Sequence, residues 1–519
     1  MLILAIKPGH DGGIAALRDG RLLFSLESEK DSYRRYTGLT PATVLSAAEL
    51  CDGIPDVIAL GGWYRRGVID RHIGAGYEGQ EIHDGFRDFF GKRVRYFSSS
   101  HERSHIMMAL GLAPESDAEF RTVLVWEGYT GAYYVVDRNA RIVRTVPVLS
   151  QPGVRYAQLF AIADPAYPSD ATHQRFQDSG KLMALAAFGR AEDADADIVA
   201  TVDRLLDPAA ELPLPKTDFR DSPVYDSGVT SQATKTAAAL LTRRVFQLFE
   251  DTARRQLPAG TPLLISGGCG LNCDWNGLWR QSDHFSSVFV PPCTNDSGSA
   301  IGTAVDALHH TTGRYTVDWN VYGGLPFDRD STPDSSVWSH RPLDHHRLAR
   351  TLSAGHVVAW VQGRWEIGPR ALGHRSLLAE PFTARTRDRL NEIKAREDYR
   401  PIAPCCRTED VADLFEGDFD DPYMLYFRKV KSSELHAVTH VDGSARVQTV
   451  SRADNAELHT LLSAFARERG AGALCNTSLN FNGRGFINRM SDLVEYCEAR
   501  GIDDMVVDDD WYTHRGAAV

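Results

Sequence analysis

Several features that often identify a protein class are missing from this chain of 519 residues. Its 8 cysteines form no CxxC pair, which argues against a zinc knuckle and favours reduced thiols over disulfides. Long apolar runs are missing too, and the first short one, MLILAI, stops at Lys7 and Pro8. We therefore expect neither a signal peptide nor a membrane span, and we expect a cytoplasmic protein.

An excess of basic residues is also lacking. The chain has 57 Lys and Arg against 69 Asp and Glu, a net charge of -12. This balance argues against a protein that coats nucleic acid or an anionic membrane. We expect no nucleic-acid and no membrane partner, so any basic site must be local. The sequence leaves the oligomeric state open.

The length of the chain predicts two or three domains, each able to bury a core. Proline, aspartate, serine and glycine are concentrated between residues 320 and 345, which indicates a linker. We therefore predict one domain over residues 1–330 and a second over residues 331–519.

Two segments of the first predicted domain share an unusual opening. Residues 2–28 alternate short apolar runs with the glycine turns GHDGG and RDG, which predicts a strand hairpin meander. Residues 122–143, TVLVWEGYTGAYYVVDRNARIV, repeat the pattern. Actin-like ATPase and sugar-kinase domains begin in this way, so we predict a duplicated α/β core.

A pair of histidines has the spacing of metal ligands. His101 and His105 follow a serine run, Ser98 to Ser100, that can cap a helix, and the spacing of four places both imidazoles on one face. Glu127 and Asp296, each in a turn after a strand, could complete the site. These ligands suit iron(II), manganese or zinc.

The same segment, HERSH, also matches the HExxH pattern of zinc proteases, with Glu102 as the general base. The third ligand of such a protease would lie on a nearby helix, whereas Glu127 is predicted in a β-turn. The protease interpretation is therefore the weaker alternative.

Glycine turns supply further candidates in the first predicted domain. His10 with Asp11 is a candidate general base beside a cradle of backbone amides, or alternatively an Asx-type turn with an incidental histidine. Nucleotide contacts are predicted for residues beside glycines: Gly180, Lys181, Gly267, Gly268 and Asn272. DSGK is not a Walker motif, because the first glycine and the spacer are absent.

The segment Gln362 to Ser376, QGRWEIGPRALGHRS, combines a rigid turn with four cations. Arg364, Arg370, His374 and Arg375 surround a Gly-Pro pair and a further glycine. Guanidinium groups that converge on such a turn suit a phosphate or carboxylate. The alternative is a solvated basic turn.

Other polar residues of the second predicted domain would complete an anion pocket. These are Lys394, Arg400, Arg446, Asn476 and Ser478. Each has a structural explanation, since cations favour helix ends and Asn-Thr-Ser favours turns. Together with the preceding segment they predict a pocket with cationic, hydroxyl and amide donors.

A series of motifs along nearly the whole chain resembles one family. HDGG, HxxxH, GKLMALAAFG, SGGCGLNC, DSGSAIGTA, GRWEIGPRALGHRS, NEIKAREDYRPIAP, HVDGSARVQTV and CNTSLN occur in that order. In the order and identity of these motifs, the chain is similar to the O-carbamoyltransferases of antibiotic and nodulation-factor biosynthesis. GPRALGHRS is the most specific of these motifs.

The resemblance implies an α/β protein with two domains. The N-terminal domain would be actin-like and duplicated, like the tRNA threonylcarbamoyl-transfer protein, and the C-terminal domain would be a YrdC-like α+β domain that forms carbamoyl adenylate. It implies carbamoyl phosphate, ATP with magnesium, a divalent metal and a hydroxylated small-molecule acceptor. A cephem hydroxymethyl group and a macrolide sugar are the acceptors that it suggests.

The resemblance also implies roles for the candidate residues. His10 would be the general base of carbamoyl transfer. Arg370 and Lys394 would be catalytic in the adenylate-forming domain, with Arg364 and the remaining anion-pocket residues as ligands of carbamoyl phosphate and the triphosphate. Many members of the family have Asp in place of Glu127, which puts the fourth metal ligand in question.

Two other functions stay open at this point. A tRNA threonylcarbamoyl-type transferase would use the same domains, although the acidic balance of the chain counts against it. A non-catalytic, actin-like ATP-binding regulator would give the C-terminal cations no role.

Overall fold

The chain, seen here in a computed structural model, has mixed α/β structure over the described residues 1–32, 34–63, 74–169, 175–210, 212–481 and 485–516. It divides into two units, Met1–Ser104 with Asp296–Val519, and His105–Asn295. The boundary that we predict at residue 330 falls inside the first unit and stays a prediction.

The first unit begins with a six-stranded sheet in the order β3-β2-β1-β4-β6-β5. Its strands are β1 (Leu2–Lys7), β2 (Gly13–Arg18), β3 (Arg21–Glu27), β4 (Val57–Gly61), β5 (Ile82–Phe89) and β6 (Lys92–Ser99). Strands β1 to β3 form an antiparallel meander, whereas β1, β4 and β6 are parallel. The predicted hairpin opening is confirmed.

Three helices accompany this sheet along the chain, and a fourth returns to it later. They are α1 (Ser28–Ser32), α2 (Pro41–Leu50), α3 (His101–Leu112) and, after residue 296, α9 (Ser299–Thr312). Helix α9 packs against β1, β2 and β4. Helix α3 crosses the division between the units, after Ser104.

The second unit repeats the strand order of the first. Its sheet, β11-β10-β7-β8-β9, contains β7 (Phe120–Trp126), β8 (Gly131–Asp137), β9 (Ile142–Pro147), β10 (Leu263–Ser266) and β11 (Val288–Phe289). Strands β7 to β9 are again an antiparallel meander, and β7, β10 and β11 are again parallel. The predicted duplicated α/β core is therefore confirmed.

Helices fill the intervals between the strands of the second unit. They are α4 (Pro152–Ala163), α5 (Gln177–Ala186), α6 (Ala196–Leu206), α7 (Gln232–Gln256) and α8 (Cys273–Gln281). The long helix α7 packs against α4, α5 and α6. The segment TPLLISGGCGLNCDWNG forms β10, a short 3-10 turn and the first part of α8.

The remainder of the first unit is built on an eight-stranded mixed sheet, β12-β21-β20-β13-β14-β19-β15-β18. Its strands are β12 (Trp338–Pro342), β13 (Val358–Val361), β14 (Arg375–Ala379), β15 (Ala403–Arg407), β18 (Gln448–Val450), β19 (Ala473–Ser478), β20 (Asp504–Val507) and β21 (Asp510–His514). A separate pair consists of β16 (Arg428–Lys429) and β17 (Ser444–Ala445). Its helices are α10 (His345–Ser353), α11 (Ala384–Ile393), α12 (Val411–Leu414), α13 (Ala456–Arg469) and α14 (Met490–Arg500).

One pairing in this sheet brings two predicted motifs together. Strands β14 and β19 are antiparallel, with Ser376 opposite Ser478 and Leu378 opposite Asn476. The segment Gln362 to Ser376 therefore ends beside the CNTSLN motif, as the prediction of a shared pocket requires. Within the described ranges, we find no helix with the length and apolar character needed to cross a membrane.

The glycine loop after β10 gives a direct test of the fold. Gly267 has φ 104°, and a Cβ at this position would lie 2.3 Å from the carbonyl oxygen of Trp126. We expect Gly267→Ala to lower the free energy of unfolding by roughly 2 kcal/mol or more, measured by chemical denaturation. Gly268→Ala is the matched control, since a Cβ there meets no described atom within 4 Å. Equal losses in the two variants would contradict this explanation.

Candidate functional site

The first cluster of candidate residues lies where α3 and the segment before α9 meet. The predicted serine cap is confirmed, because Ser100 Oγ accepts a hydrogen bond from Arg103 N at 3.1 Å. Arg103 forms two short ion-pair contacts, 2.6 and 2.8 Å, with the buried carboxylate of Asp306 on α9. This pair fixes α3 against α9, and it leaves His101 Nε2 3.5 Å from Asp296 Oδ1.

The donors in this cluster fit a divalent cation. His101 is buried and stacks on Tyr77 at 4.3 Å, so its imidazole is held in one orientation. His105 follows one turn later on the same helix as the first residue of the second unit, and its Nδ1 lies 2.9 Å from Ser266 Oγ of that unit. Imidazoles and a carboxylate with orienting hydrogen bonds suit iron(II), manganese or zinc.

Lys7 belongs to this cluster although the sequence did not suggest it. Its side chain is buried, donates to the carbonyl of His10, and lies 3.3 Å from Asp296 Oδ2. Burial raises the pKa of Asp296, but the charges of His101 and Lys7 outweigh it and hold that pKa well below its usual range. The available signal was a charged residue at the end of an otherwise apolar strand.

His10 and Asp11 lie at the edge of the same cluster. His10 Nδ1 is 3.6 Å from Asp11 Oδ2 and 3.8 Å from Asp296 Oδ2. Burial lowers the pKa of His10, yet the two carboxylates raise it above its ordinary value overall. Burial raises the pKa of Asp11 to about 7. His10 is therefore a stronger base than a free imidazole.

Tyr36 is a second residue that the sequence did not indicate. Its ring stacks on the imidazole of His10, with centroids 4.9 Å apart. Its backbone has φ 56°, and its amide donates to Glu29 Oε2 at 3.1 Å. A tyrosine in an irregular loop gives no pattern from which this contact could be predicted.

Two glutamates that the sequence linked to a metal site have local partners. Glu127 is buried, and its Oε1 accepts a hydrogen bond from Thr130 N at 2.8 Å, which closes the turn between β7 and β8. Its role as a ligand stays a prediction. Glu102 accepts from Gly79 N and from Gln80 Nε2, at 2.9 and 2.8 Å. A general base of a protease would instead face a metal-bound water, so these contacts disfavour that alternative.

The predicted nucleotide contacts lie in two places of the second unit. Gly267 and Gly268 form the bend after β10, and Asn272 caps α8 by accepting from Asp274 N and Trp275 N. Gly180 and Lys181 lie inside α5 rather than in a loop, and Lys181 contacts Asp178 at 3.2 Å. All five remain predictions as nucleotide ligands.

The conformation of the segment Gln362 to Ser376 is organised by a buried carboxylate. Glu366 is fully buried, and its Oε1 accepts hydrogen bonds from the backbone amides of Leu372, His374 and Arg375 at 2.7, 2.8 and 3.1 Å. Gly373 has φ 99°, and a Cβ on it would lie 2.6 Å from Leu458 Cδ2. The turn is therefore folded around Glu366.

The expectation that four cations of this segment face one anion is wrong for two of them. Arg375 is fully buried and donates to the carbonyls of Gln362 and Gly363 and to Asn488 Oδ1. Burial lowers the pKa of Arg375 to about 10 and that of His374 to about 4, so His374 is neutral. Both side chains stabilise the turn instead of binding an anion.

The other two cations differ from each other. Arg364 donates to the carbonyls of Gly324 and Gly323, at 2.6 and 3.2 Å, and its role as a ligand stays a prediction. Arg370 has intermediate exposure, and its Nε is buried. The next residue, Ala371, accepts a hydrogen bond from Asn476 Nδ2 at 3.2 Å. Asn476 therefore lies beside the Arg370 backbone, and the roles of Arg370 and Asn476 as ligands stay predictions.

A group of cations lies close together after α11. Lys394 is buried and donates to the carbonyl of Ser478 and to the side chain of Asn480. Burial, then Arg396 and Arg400, holds the pKa of Lys394 well below its usual range. Burial, then Arg400 and Arg446, lowers the pKa of Arg396 to about 9. Such mutual repulsion is relieved by a bound anion.

Two family models match most of the chain. The model described as carbamoyltransferase N-terminus matches residues 64–305, and the model described as carbamoyltransferase C-terminus matches residues 349–514.

Several characterised proteins are similar over almost the whole length. The 3'-hydroxymethylcephem-O-carbamoyltransferase of Amycolatopsis lactamdurans is 62% identical, with 99% of each chain covered. The protein of the same name from Streptomyces clavuligerus is 61% identical, also with 99% of each chain covered. Nodulation protein U of Rhizobium tropici is 33% identical, covering 97% of this chain and 94% of that protein.

Similarity to solved structures is much weaker. The activator of the 2-hydroxyisocaproyl-CoA dehydratase from Clostridium difficile is 11% identical with a TM-score of 0.34, covering 60% of this chain and 95% of that one. An archaeal actin homologue, Ta0583, is 11% identical with a TM-score of 0.29, covering 60% of this chain and 100% of that one. The fold description therefore rests on the sheet topology given above.

The neutral His374 predicts a pH dependence of stability. Its folded pKa of about 4 lies below the ordinary 6.5, so the unfolded state binds the proton more strongly between these values. We expect the free energy of unfolding to fall as the pH decreases from 6.5 towards 4. The amide of the variant His374→Asn can still donate to the Arg364 carbonyl but does not titrate. The free energy of unfolding of this variant, measured by urea denaturation, should therefore fall less over the same pH range. An identical fall in both proteins would contradict the assignment.

Proposed function

The chain belongs to the carbamoyltransferase family, and we propose that it transfers the carbamoyl group of carbamoyl phosphate, with ATP, to the hydroxymethyl group of a cephem. Support for the acceptor comes from two relatives with this specificity in their names, which are 62% and 61% identical over 99% of the chain. The observation that carries the use of anionic donors is the group of cations around the buried Lys394, whose pKa values are lowered by burial and then by one another.

The cations of the C-terminal part would carry the first half-reaction. Arg370, Lys394, Arg400 and Arg446 would bind carbamoyl phosphate and the triphosphate of ATP, which magnesium accompanies. Arg364, Asn476 and Ser478 would supply further donors. These groups neutralise charge on the transferring phosphoryl group and need no covalent step of their own.

The chemistry of this half-reaction balances in two steps. Carbamoyl phosphate first loses its phosphoryl group to water, giving carbamate and phosphate. A carbamate oxygen then attacks the α-phosphorus of ATP, and pyrophosphate leaves. The product is carbamoyl adenylate. Because carbamate and its adenylate decompose in water, both steps favour a site closed to solvent.

His10 would carry the second half-reaction in the N-terminal part. The acceptor hydroxyl oxygen attacks the carbamoyl carbon, AMP leaves with the electrons of the broken bond, and His10 accepts the hydroxyl proton. The stacked ring of Tyr36 keeps the imidazole of His10 in place. Asp11, with the nucleotide candidates of the second unit (Gly180, Lys181, Gly267, Gly268 and Asn272), would bind the adenylate.

A divalent metal would complete this second site. We propose His101, His105 and Asp296 as its ligands, with Glu127 as the fourth, and iron(II) as the preferred ion over manganese or zinc. When bound, it would supply Lewis-acid polarisation of a carbamoyl or phosphate oxygen.

The finer fold assignments belong to the same proposal. Residues 1–330 would form an actin-like domain similar to the tRNA threonylcarbamoyl-transfer protein, and residues 331–519 a YrdC-like domain. The strand order 3-2-1-4, found in both sheets of the N-terminal part, supports the first assignment. The mixed sheet around β13 and β14 is compatible with the second.

The acceptor is tested by a panel of alcohols. The protein is incubated with ATP, carbamoyl phosphate and, in separate reactions, a 3'-hydroxymethylcephem, a macrolide with free sugar hydroxyls, and tRNA. We expect mass spectrometry to find a carbamoylated product with the cephem. A product with only the macrolide or the tRNA would replace the proposed acceptor.

The division into two half-reactions predicts opposite behaviour of two variants. His10→Ala should keep pyrophosphate release from ATP and carbamoyl phosphate while carbamoylated product falls by about a hundredfold or more. Arg370→Ala should lose both activities, because it removes a side chain that would bind carbamoyl phosphate and ATP. Equal loss of both activities in His10→Ala would contradict the two-site scheme, and retained pyrophosphate release in Arg370→Ala would contradict the anion pocket.

The metal proposal predicts a change that is independent of activity. His101→Ala should lower the affinity for iron(II) or manganese by about a hundredfold, measured by titration and by the metal content of the purified protein. His346→Ala, on an exposed position of α10, is the control and should bind like the unmodified protein. Unchanged metal content in His101→Ala would exclude these ligands.

A further inference from the structure

The short segment Glu27 to Lys30, at the junction of β3 and α1, has no role in the half-reactions described above. We call it the 27–30 corner. Glu27, Ser28 and Lys30 are almost completely buried, and two of them carry charges. Buried charges cost solvation free energy that an apolar pair of similar size would not, so their contacts deserve an explanation.

One side of the 27–30 corner holds the turn of the anion site. Glu27 Oε1 accepts a hydrogen bond from Gly368 N at 2.7 Å, and also from Lys30 Nζ at 2.9 Å. Lys30 Nζ donates in addition to the carbonyl of Glu366 and lies 4.8 Å from the ring centroid of Phe486. The corner thus binds the turn on both sides of residue 367.

These contacts fix the backbone just before Arg370. Gly368 has φ 86°, a backbone conformation that glycine adopts without steric cost. Glu27 holds the amide of Gly368, and Glu366 holds the amide of Leu372. The stretch of three residues that contains Arg370 is therefore fixed at both ends, at one end by a residue of the N-terminal sheet.

The other side of the 27–30 corner holds the loops around His10. Ser28 N donates to the carbonyl of Gly12 at 2.8 Å, in the first glycine turn. Glu29 Oε2 accepts from the amide of Tyr36 at 3.1 Å, and Tyr36 stacks on His10. Four consecutive residues therefore contact both the turn that contains Arg370 and the loops that contain His10 and Tyr36.

We propose that the 27–30 corner positions both sites at once. Glu27 and Lys30 fix the turn that carries Arg370, whereas Ser28 and Glu29 fix the loops that carry His10 and Tyr36. All four are positioning residues, because they act through the backbone of other residues. The inference rests on the proposed function for the roles of Arg370 and His10.

The two sides of the corner predict a split in kinetics. In Lys30→Met, the KM for carbamoyl phosphate in pyrophosphate release should rise by about tenfold or more, because a charged hydrogen bond that fixes the Arg370 turn is lost. The number of product molecules per pyrophosphate should not change. In Glu29→Ala, pyrophosphate release should be normal and the product per pyrophosphate should fall.

The second unit offers a matched control. Lys216 is also buried, and its Nζ binds the carbonyl of Asp164 and the carboxylate of Asp226, at 2.6 Å each. Lys216→Met should therefore lose stability to a similar extent. It should not change the KM for carbamoyl phosphate, since it does not contact the turn. If it raised this KM as much as Lys30→Met does, general destabilisation would be the cause and the proposal would be wrong.

Amide hydrogen exchange tests the inference without any enzyme activity. In Lys30→Met, exchange in a peptide covering residues 366–376 should accelerate by about tenfold or more, while a peptide covering β2 should exchange as before. Unchanged exchange in residues 366–376 would overturn the proposal. If the unmodified protein released no pyrophosphate but the exchange result held, the proposed function would fail and the positioning role would survive.

A second variant covers the case in which Lys30→Met does not fold. Glu27→Gln keeps an oxygen that can accept from Gly368 N but removes the charge that faces Lys30. We expect a smaller rise of the same KM, by about threefold, together with faster exchange in residues 366–376. Wild-type values of both quantities in Glu27→Gln would overturn the role assigned to the buried pair.

Discussion

The binding of backbone amides by two buried carboxylates is the interaction on which the proposed anion site depends. Glu366 accepts three amide hydrogen bonds from its own turn, and Glu27 accepts one from Gly368. A carboxylate that is removed from water is stable only when such donors and a countercharge replace the solvent. Lys30 supplies that countercharge. Together these hydrogen bonds fix the backbone on either side of Arg370, at Gly368 and at Leu372.

The two candidate sites differ in charge, and the proposed two-step reaction requires such a difference. Around Lys394, burial and then the neighbouring cations lower the pKa values of Lys394 and Arg396, which favours phosphate-bearing donors. Around Asp296, histidines, a lysine and a second carboxylate share a small volume, which favours proton transfer and metal binding. A single pocket could not provide both environments, because the acidic groups would repel carbamoyl phosphate and ATP.

The local patterns of the sequence were informative wherever a short segment decides the structure. The hairpin meanders and the Ser100 cap were predicted, since turn chemistry and capping act within a few residues. Arg375 was misassigned, because its sequence shows a charge but not the carbonyls of Gln362 and Gly363 that surround it.

The contacts of Glu27 and Lys30 were missed for a related reason. Their partners lie more than 300 residues away in the chain, so no local pattern reveals them.

The most direct measurement of the two-site account is isotope exchange between labelled pyrophosphate and ATP, with no acceptor present. The account predicts that label enters ATP only when carbamoyl phosphate is added, because carbamoyl adenylate forms reversibly without the alcohol. Exchange that required the acceptor, or none at all while product still formed, would contradict it.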